Sequence, residues 1–253
     1  GMPTSLHGAR IVPLPSVALP GYPTVRVGAS GARRVAAELA GFRPDVVHLA
    51  SPFALGWRAV VAADRLGIGT VAAYQTDVVA YAERYRVAAT TGIAQSHVAR
   101  LHRRATVTLA PSADSAKQLA DLGVDRLRHW GRGVDAERFH PERRDATWRG
   151  RGDQVIVGYV GRLAAEKQVE DLRALRDLPG VRLVIIGEGP SRARLEAALP
   201  TAEFLGHLDG EDLAVAMASL DVFVHPGESE TFGQTLQEAH ASGVPVVATG
   251  KGG

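Results

Sequence analysis

The chain has 253 residues, 45% of them apolar, with a formal charge of +2, a pI near 9.2 and a mean hydropathy of −0.02. These values describe an ordinary globular protein, large enough for one big domain or two small ones. The absence of cysteine excludes a disulfide framework, a thiol nucleophile and a thiolate metal site. No long Lys/Arg run points to nucleic acid as a partner, and no apolar run or charged-then-apolar N-terminus points to a span or a leader, so the chain reads as cytoplasmic.

Prolines at 13, 15, 20 and 23 interrupt the first stretch. It reads as a short strand over residues 10–14, a loop, and a second short strand over 25–27. Ser30 can cap a helix running to Ala40, and after Pro44 a continuous apolar run over 45–49 predicts a buried parallel strand. Ser51-Pro52 opens a helix to Leu66 that Gly67 and Gly69 end. A buried strand over 70–74 then delivers Gln75-Thr76-Asp77 to a loop, and a polar cluster at a strand's carboxyl end is a good place for chemistry. Helical sequence follows to Arg104, then a strand over 107–109 and a helix from Pro111-Ser112 to Leu122. Alternating strands and helices predict a parallel, doubly wound α/β sheet.

The charged stretch 142–153 lacks apolar periodicity and reads as a linker. Beyond it the pattern restarts, with strands over 155–160, 181–186, 203–205, 222–224 and 244–248. The helices between them fall over 169–178, 191–199, 210–219 and from Thr231 to Gly243. Five strands and four helices make a nearly complete nucleotide-binding half.

Chemistry concentrates after the strands of this half. Gly161 lets backbone approach a ligand, and Arg162 and Lys167 on one strand-to-helix loop can both reach a single pyrophosphate. Thr231 with Gln234 forms a capping-box pattern, which would place first-turn N–H groups and the positive end of a helix at the sheet edge. Glu230 and Glu238 bracket that helix start. Eight residues at a rise of roughly 1.5 Å put them at most about 12 Å apart, a span that suits a long polar ligand held at both ends. Gly187-Glu188-Gly189-Pro190 reads equally as a tight turn and as a ligand-contacting loop. His207 can reach a ligand or lie on the surface. His102, within Arg100-Leu101-His102-Arg103-Arg104, belongs to a solvated helical face or touches phosphate. The nine histidines form no close pair, there is no Asp-x-Asp, and no metal site is expected.

His225-Pro226, Glu230-Thr231-Phe232-Gly233, Glu238-Ala239 and Gly243-Val244-Pro245-Val246, in this order, resemble the E-x7-E signature of the retaining glycosyltransferases of family 4, of GT-B fold. The resemblance implies two Rossmann-like doubly wound domains with an active site in the cleft between them. It sets an incomplete acceptor-side domain over 1–133, closed by Gly133-Val134-Asp135 and Phe139, and a donor domain over 134–253. It further implies that this chain lacks the family's first central strand and glycine-rich loop, and also its final helices. By resemblance Arg162, Lys167 and Glu230 carry the chemistry of a front-face transfer in which no strong protein base is needed. Gly161, Phe232, Gly233, Thr235, Glu238 and His207 would surround the donor, Glu238 holding its ribose, while Gln75 and Asp77 lie on the acceptor side. Many relatives have histidine where Gln75 stands.

At finer grain, the segments His48-Leu49-Ala50-Ser51-Pro52, Gln75-Thr76-Asp77 and Trp130-Gly131-Arg132-Gly133-Val134-Asp135 are similar to actinobacterial GDP-mannose-dependent α-mannosyltransferases that modify a glycolipid. That likeness implies GDP-mannose as a metal-independent nucleotide-sugar donor, a glycolipid or glycan acceptor, and peripheral contact with the inner membrane leaflet. Other readings stay open: a nucleotide-sugar-binding fragment that cannot turn over, and a phosphorylase or epimerase on the same fold. Glycoside hydrolysis by Glu230 and Glu238 would need carboxyl groups about 5–9.5 Å apart, closer than the helical estimate.

Overall fold

The computed structural model describes residues 5–19, 22–75, 88–149 and 153–252. They separate into two compact units, one made of residues up to 75 with Gly92–Trp130, the other of Gly131 onward.

The first unit opens with two antiparallel pairs, β1 (Ser5–Leu6) with β2 (Ala9–Arg10), and β3 (Ser16–Leu19) with β4 (Tyr22–Gly28). The expected strand over 10–14 is therefore displaced. Pro13 and Pro15 lack the N–H a ladder needs, and pairing resumes only at Ser16. Then come α1 (Ala32–Phe42), β5 (Val46–Leu49), α2 (Ala54–Arg65), β6 (Gly69–Ala73), α3 (Ala88–Arg104), β7 (Val107–Ala110), α4 (Ala113–Asp121) and β8 (Leu127–His129). The last four strands form a parallel sheet in the order β5-β6-β7-β8. Its core packs Val60 of α2 and Leu101 of α3 against Leu49 and Ala72.

Capping was legible at one helix and not at another. The Ser112 hydroxyl accepts from Ser115 N–H at 3.1 Å at the start of α4, as expected. In α1 the N-cap is Gly31, with no side-chain cap, and the buried Ser30 hydroxyl has no hydrogen-bond partner.

The second unit contains β9 (Val155–Val160), β10 (Val181–Ile186), α5 (Arg192–Ala198), β11 (Glu203–Gly206), α6 (Gly210–Ala218), β12 (Val222–His225), α7 (Gln234–Ala241) and β13 (Val246–Ala248). All five strands run parallel in the order β11-β10-β9-β12-β13. Both faces are apolar, as a sheet covered on two sides requires. Ile156, Val160, Val184 and Ile186 face Met217 and Leu220, while Val157, Tyr159, Leu183 and Ile185 face Leu163, Leu172 and Leu195. Gly158 allows a close approach, since a Cβ there would lie 2.3 Å from the Leu220 side chain.

The helix expected over 169–178 is a 3-10 segment, Val169–Leu175, following a shorter one at Ala165–Lys167. Gln168 between them stands at φ 51° and breaks the register, and Pro179 bounds the far side. The stretch that reads as a linker by composition is docked through side chains. Arg144 donates to the carbonyls of Ala218 and Leu220 at 3.2 and 2.8 Å, and Asp145 N–H donates to Ser219 Oγ at 3.0 Å.

Candidate active site

The order of strands in the second unit fixes where a ligand would lie. From β9 the chain winds outward through β10 and β11, then returns to place β12 on the other side of β9. The carboxyl ends of β9 and β12 therefore flank a topological switch point, the crevice at which open α/β sheets bind ligands. Two loops meet there, Gly161–Lys167 after β9 and Pro226–Gly233 after β12.

The first loop carries both expected cations, each held by a carboxylate. Arg162 pairs with Glu166 four residues on, the guanidinium half exposed and the carboxylate buried. The Lys167 ammonium meets Oε1 of Glu230 across the switch point. His225, last residue of β12 and 3% exposed, places Nε2 2.9 Å from the same oxygen. Beneath them the buried Tyr159 donates its hydroxyl to the Arg162 carbonyl at 3.1 Å. A Cβ on Gly161 would lie 2.7 Å from that hydroxyl, so glycine there makes room for the tyrosine. Burial, and after it the charges of Glu230 and Glu166, push the Tyr159 hydroxyl well above its ordinary range. It serves as a neutral donor, not a base.

Glu230 and Glu238 are shifted in opposite directions. Burial acts to raise Glu230, but the His225 hydrogen bond and the Lys167 ammonium outweigh it and leave this carboxyl below its ordinary value. Glu238, half-buried in α7, is raised by burial, with a Gln234 hydrogen bond opposing in part.

The capping box does not form. Helix α7 begins only at Gln234, after an N-cap at Gly233 with φ 75° and no side-chain cap. Gln234 donates its side-chain N–H to the Gly133 carbonyl at 3.3 Å instead of turning back. Thr231 and Phe232 therefore lie in the loop, and a helical rise does not apply across the whole stretch from Glu230 to Glu238. The half-buried Phe232 ring lies 5.9 Å from the Arg132 guanidinium. Gly233 is buried, and Thr235 lies half-buried in the first turn.

The Gly187–Pro190 loop resolves toward structure. A Cβ on Gly187 would lie 2.0 Å from the Gly161 carbonyl, and one on Gly189 2.2 Å from the Leu163 carbonyl. Leu163 N–H donates to the Glu188 carbonyl at 2.9 Å, and Ser191 N–H to the Leu163 carbonyl at 2.9 Å. These glycines let one loop brace the other. His207 is 71% exposed and 3.7 Å from the Asp209 carboxylate.

In the first unit Gln75 follows β6 half-buried, and Asp77 lies outside the described residues. His102 is not on a solvated face. It is 1% exposed, with Nδ1 3.1 Å from Thr108 Oγ1 and its ring edge-on to Tyr74. The period of α3 turns Leu101 and His102 inward, whereas Arg104 pairs with Asp64. Glu166, His225 and Tyr159 are the site residues to which no role was assigned from the sequence. The i,i+4 spacing of Arg162 and Glu166 was the available signal for one of them. Among the described residues no group of three or more His, Asp or Glu side chains could hold a metal ion.

The sequence model described as Glycosyltransferase Family 4 matches residues 2–138, and that for Glycosyl transferases group 1 matches 142–253. A GDP-mannose-dependent alpha-mannosyltransferase of Mycobacterium tuberculosis is 49% identical over 98% of this chain, and one of Corynebacterium glutamicum is 44% identical over 97%. The chain spans 66% and 60% of their respective lengths. The crystal structure of Anabaena Alr3699/HepE in complex with UDP and glucose aligns with a TM-score of 0.73 at 19% identity, covering 88% of this chain and 63% of that one. That likeness shows the fold, which is that of the GT-B glycosyltransferases.

Proposed function

Because this chain belongs to Glycosyltransferase Family 4, we propose that it serves a retaining transfer of a hexose from a nucleotide-sugar, with GDP-mannose as donor and a glycolipid or glycan as acceptor. The observation that carries the reading is the ion pair of Lys167 and Glu230 across the switch point, with Arg162 on the same loop. A cation and a carboxylate meeting there are what a sugar diphosphate needs at its two ends. The identity to named mannosyltransferases supports the choice of sugar and base.

In this reading residues 134–253 hold the donor. Arg162 and Lys167 neutralise the charge that grows on the departing diphosphate, and the backbone at Gly161 lets it approach. Glu230, kept ionised by its two donors, accepts from sugar hydroxyls, with Phe232, Gly233 and Thr235 about it. Glu238 accepts from the ribose, and His207 lies toward the base. Preorganised charge opposite a leaving group is worth about a hundredfold in rate or more, and it asks for no protein base. Gln75 and Asp77 belong to the acceptor side. Among the described residues no helix is long and apolar enough to cross a membrane. A cytoplasmic protein that docks at the inner leaflet would reach a lipid acceptor.

Calorimetric titration with GDP, UDP, GDP-mannose and UDP-glucose, first without metal and then with magnesium, tests this. The guanine series should bind without metal. Tighter binding of UDP than of GDP overturns the choice of donor, and no binding of any nucleotide by the folded chain overturns the donor site.

A further inference from the structure

Glu230 receives two donors on one oxygen. Lys167 Nζ comes from the 3-10 turn after β9, and His225 Nε2 from the end of β12, both at Oε1. The two donors differ in freedom. The imidazole is 3% exposed and lies tilted against the Tyr159 and Phe223 rings, at centroid distances of 6.2 and 6.4 Å. Gly227 packs so near that a Cβ there would lie 3.1 Å from His225 Cε1. The ring therefore cannot turn away from Glu230. Lys167 retains 19% of its side-chain exposure and ends a flexible chain, so it can.

The remaining charged groups around the imidazole already have partners. Tyr159 on β9 donates to the Arg162 carbonyl, Arg162 pairs with Glu166, and on the outer side Glu228 pairs with Lys251 at 3.1 Å. Lys167 is thus the group whose movement changes the charge balance at Glu230.

Taking these loops as the donor site, we propose that donor binding is linked to proton uptake through His225. The diphosphate draws the Lys167 ammonium off Glu230. A buried carboxylate stripped of its cation is costly, and the imbalance is relieved by one proton from solvent bound at His225 Nδ1. Nε2–H goes on donating to Glu230, no covalent bond between heavy atoms changes, and the buffer supplies the proton. His225 is in this sense a positioning residue, holding Glu230 in place and in charge while Lys167 serves the phosphate.

The test is calorimetry of the 253-residue chain with GDP-mannose and with UDP-glucose near neutral pH, in phosphate and in Tris. These buffers differ widely in ionisation enthalpy. Both phosphates of the ligands are esterified and do not titrate there. The observed enthalpy should differ between buffers by an uptake of between zero and one proton per bound donor. His225→Gln, which keeps an N–H for Glu230 but cannot take the proton, should bind more weakly, because the imbalance at Glu230 goes unrelieved, and show no buffer dependence. Lys167→Gln, altered at the partly exposed end of the pair, should bind more weakly and also lose the linkage, and it carries the test if His225→Gln does not fold. Wild-type binding without buffer dependence, or an unchanged dependence in either variant, overturns the proposal and leaves the donor site standing. Absence of binding to both sugars overturns the donor-site reading itself, and the proposal with it.

Discussion

Burial raises the Glu238 carboxyl, whereas the donors around Glu230 hold that carboxyl down. The two acids therefore contribute to stability with opposite signs. A carboxyl raised in the folded state favours folding while protonated, and that contribution is lost as pH rises past its folded value. At neutral pH the ionised Glu238 is thus a burden on the fold. Glu238→Gln should melt at a higher temperature than wild type near pH 7, with the gap closing toward acid pH, where the wild-type carboxyl is itself protonated. The same substitution should weaken GDP binding about tenfold, the cost of losing a charged acceptor for the ribose. Thermal melts across pH and calorimetry with GDP measure the two halves of this trade. The pairing of Arg162 with Glu166 was within reach of sequence spacing, because the two residues stand four apart on one short loop. The convergence of Lys167 and His225 on Glu230 was not, since it joins two loops through the pairing of β9 with β12.

Loops at a sheet edge stay in place only if something stops them from sagging, and here backbone braces backbone. Gly187 at φ 134° sits where a Cβ would lie 2.0 Å from the Gly161 carbonyl. Gly187→Ala should therefore destabilise the chain by about 1–3 kcal/mol, a strained φ combined with a clash that backbone cannot relieve cheaply. It should also lower nucleotide affinity, because the Gly161–Lys167 loop must shift. Gly41→Ala in α1, where a Cβ meets nothing within 4 Å, is the control and should not destabilise. Chemical unfolding and nucleotide titration of both variants check this. The elements themselves were largely legible, since β9, β10, β12 and β13 and the strands β5 to β7 are mostly apolar. What was misplaced has local causes. Two prolines held off the pairing after β2 until Ser16, left-handed Gln168 turned a helix into 3-10 turns, and left-handed Gly233 postponed α7 past the threonine that looked like its cap.

The whole molecule's response to acid should be set in part by a buried group of the first unit. Burial lowers His102 from 6.5 to about 4, and its Nε2 has no hydrogen-bond partner. The unfolded chain takes up that proton near pH 6.5 and the folded chain does not, so stability falls as pH drops from 6.5 toward 4. The loss should reach about 2–3 kcal/mol by pH 4.5. His102→Leu should flatten this limb, as urea unfolding between pH 7 and 4.5 would show. The pairing of charges at the switch point has a different consequence, for kinetics. Arg162 and Lys167 are each matched by a carboxylate, and the chain carries a formal charge of only +2. Seen from a distance, this cluster of paired charges should present little net field to an approaching polyanion. Its encounter with a nucleotide is unsteered, insensitive to added salt, and left to diffusion; attraction begins only at the moment of touch, when the cations exchange one anion for another.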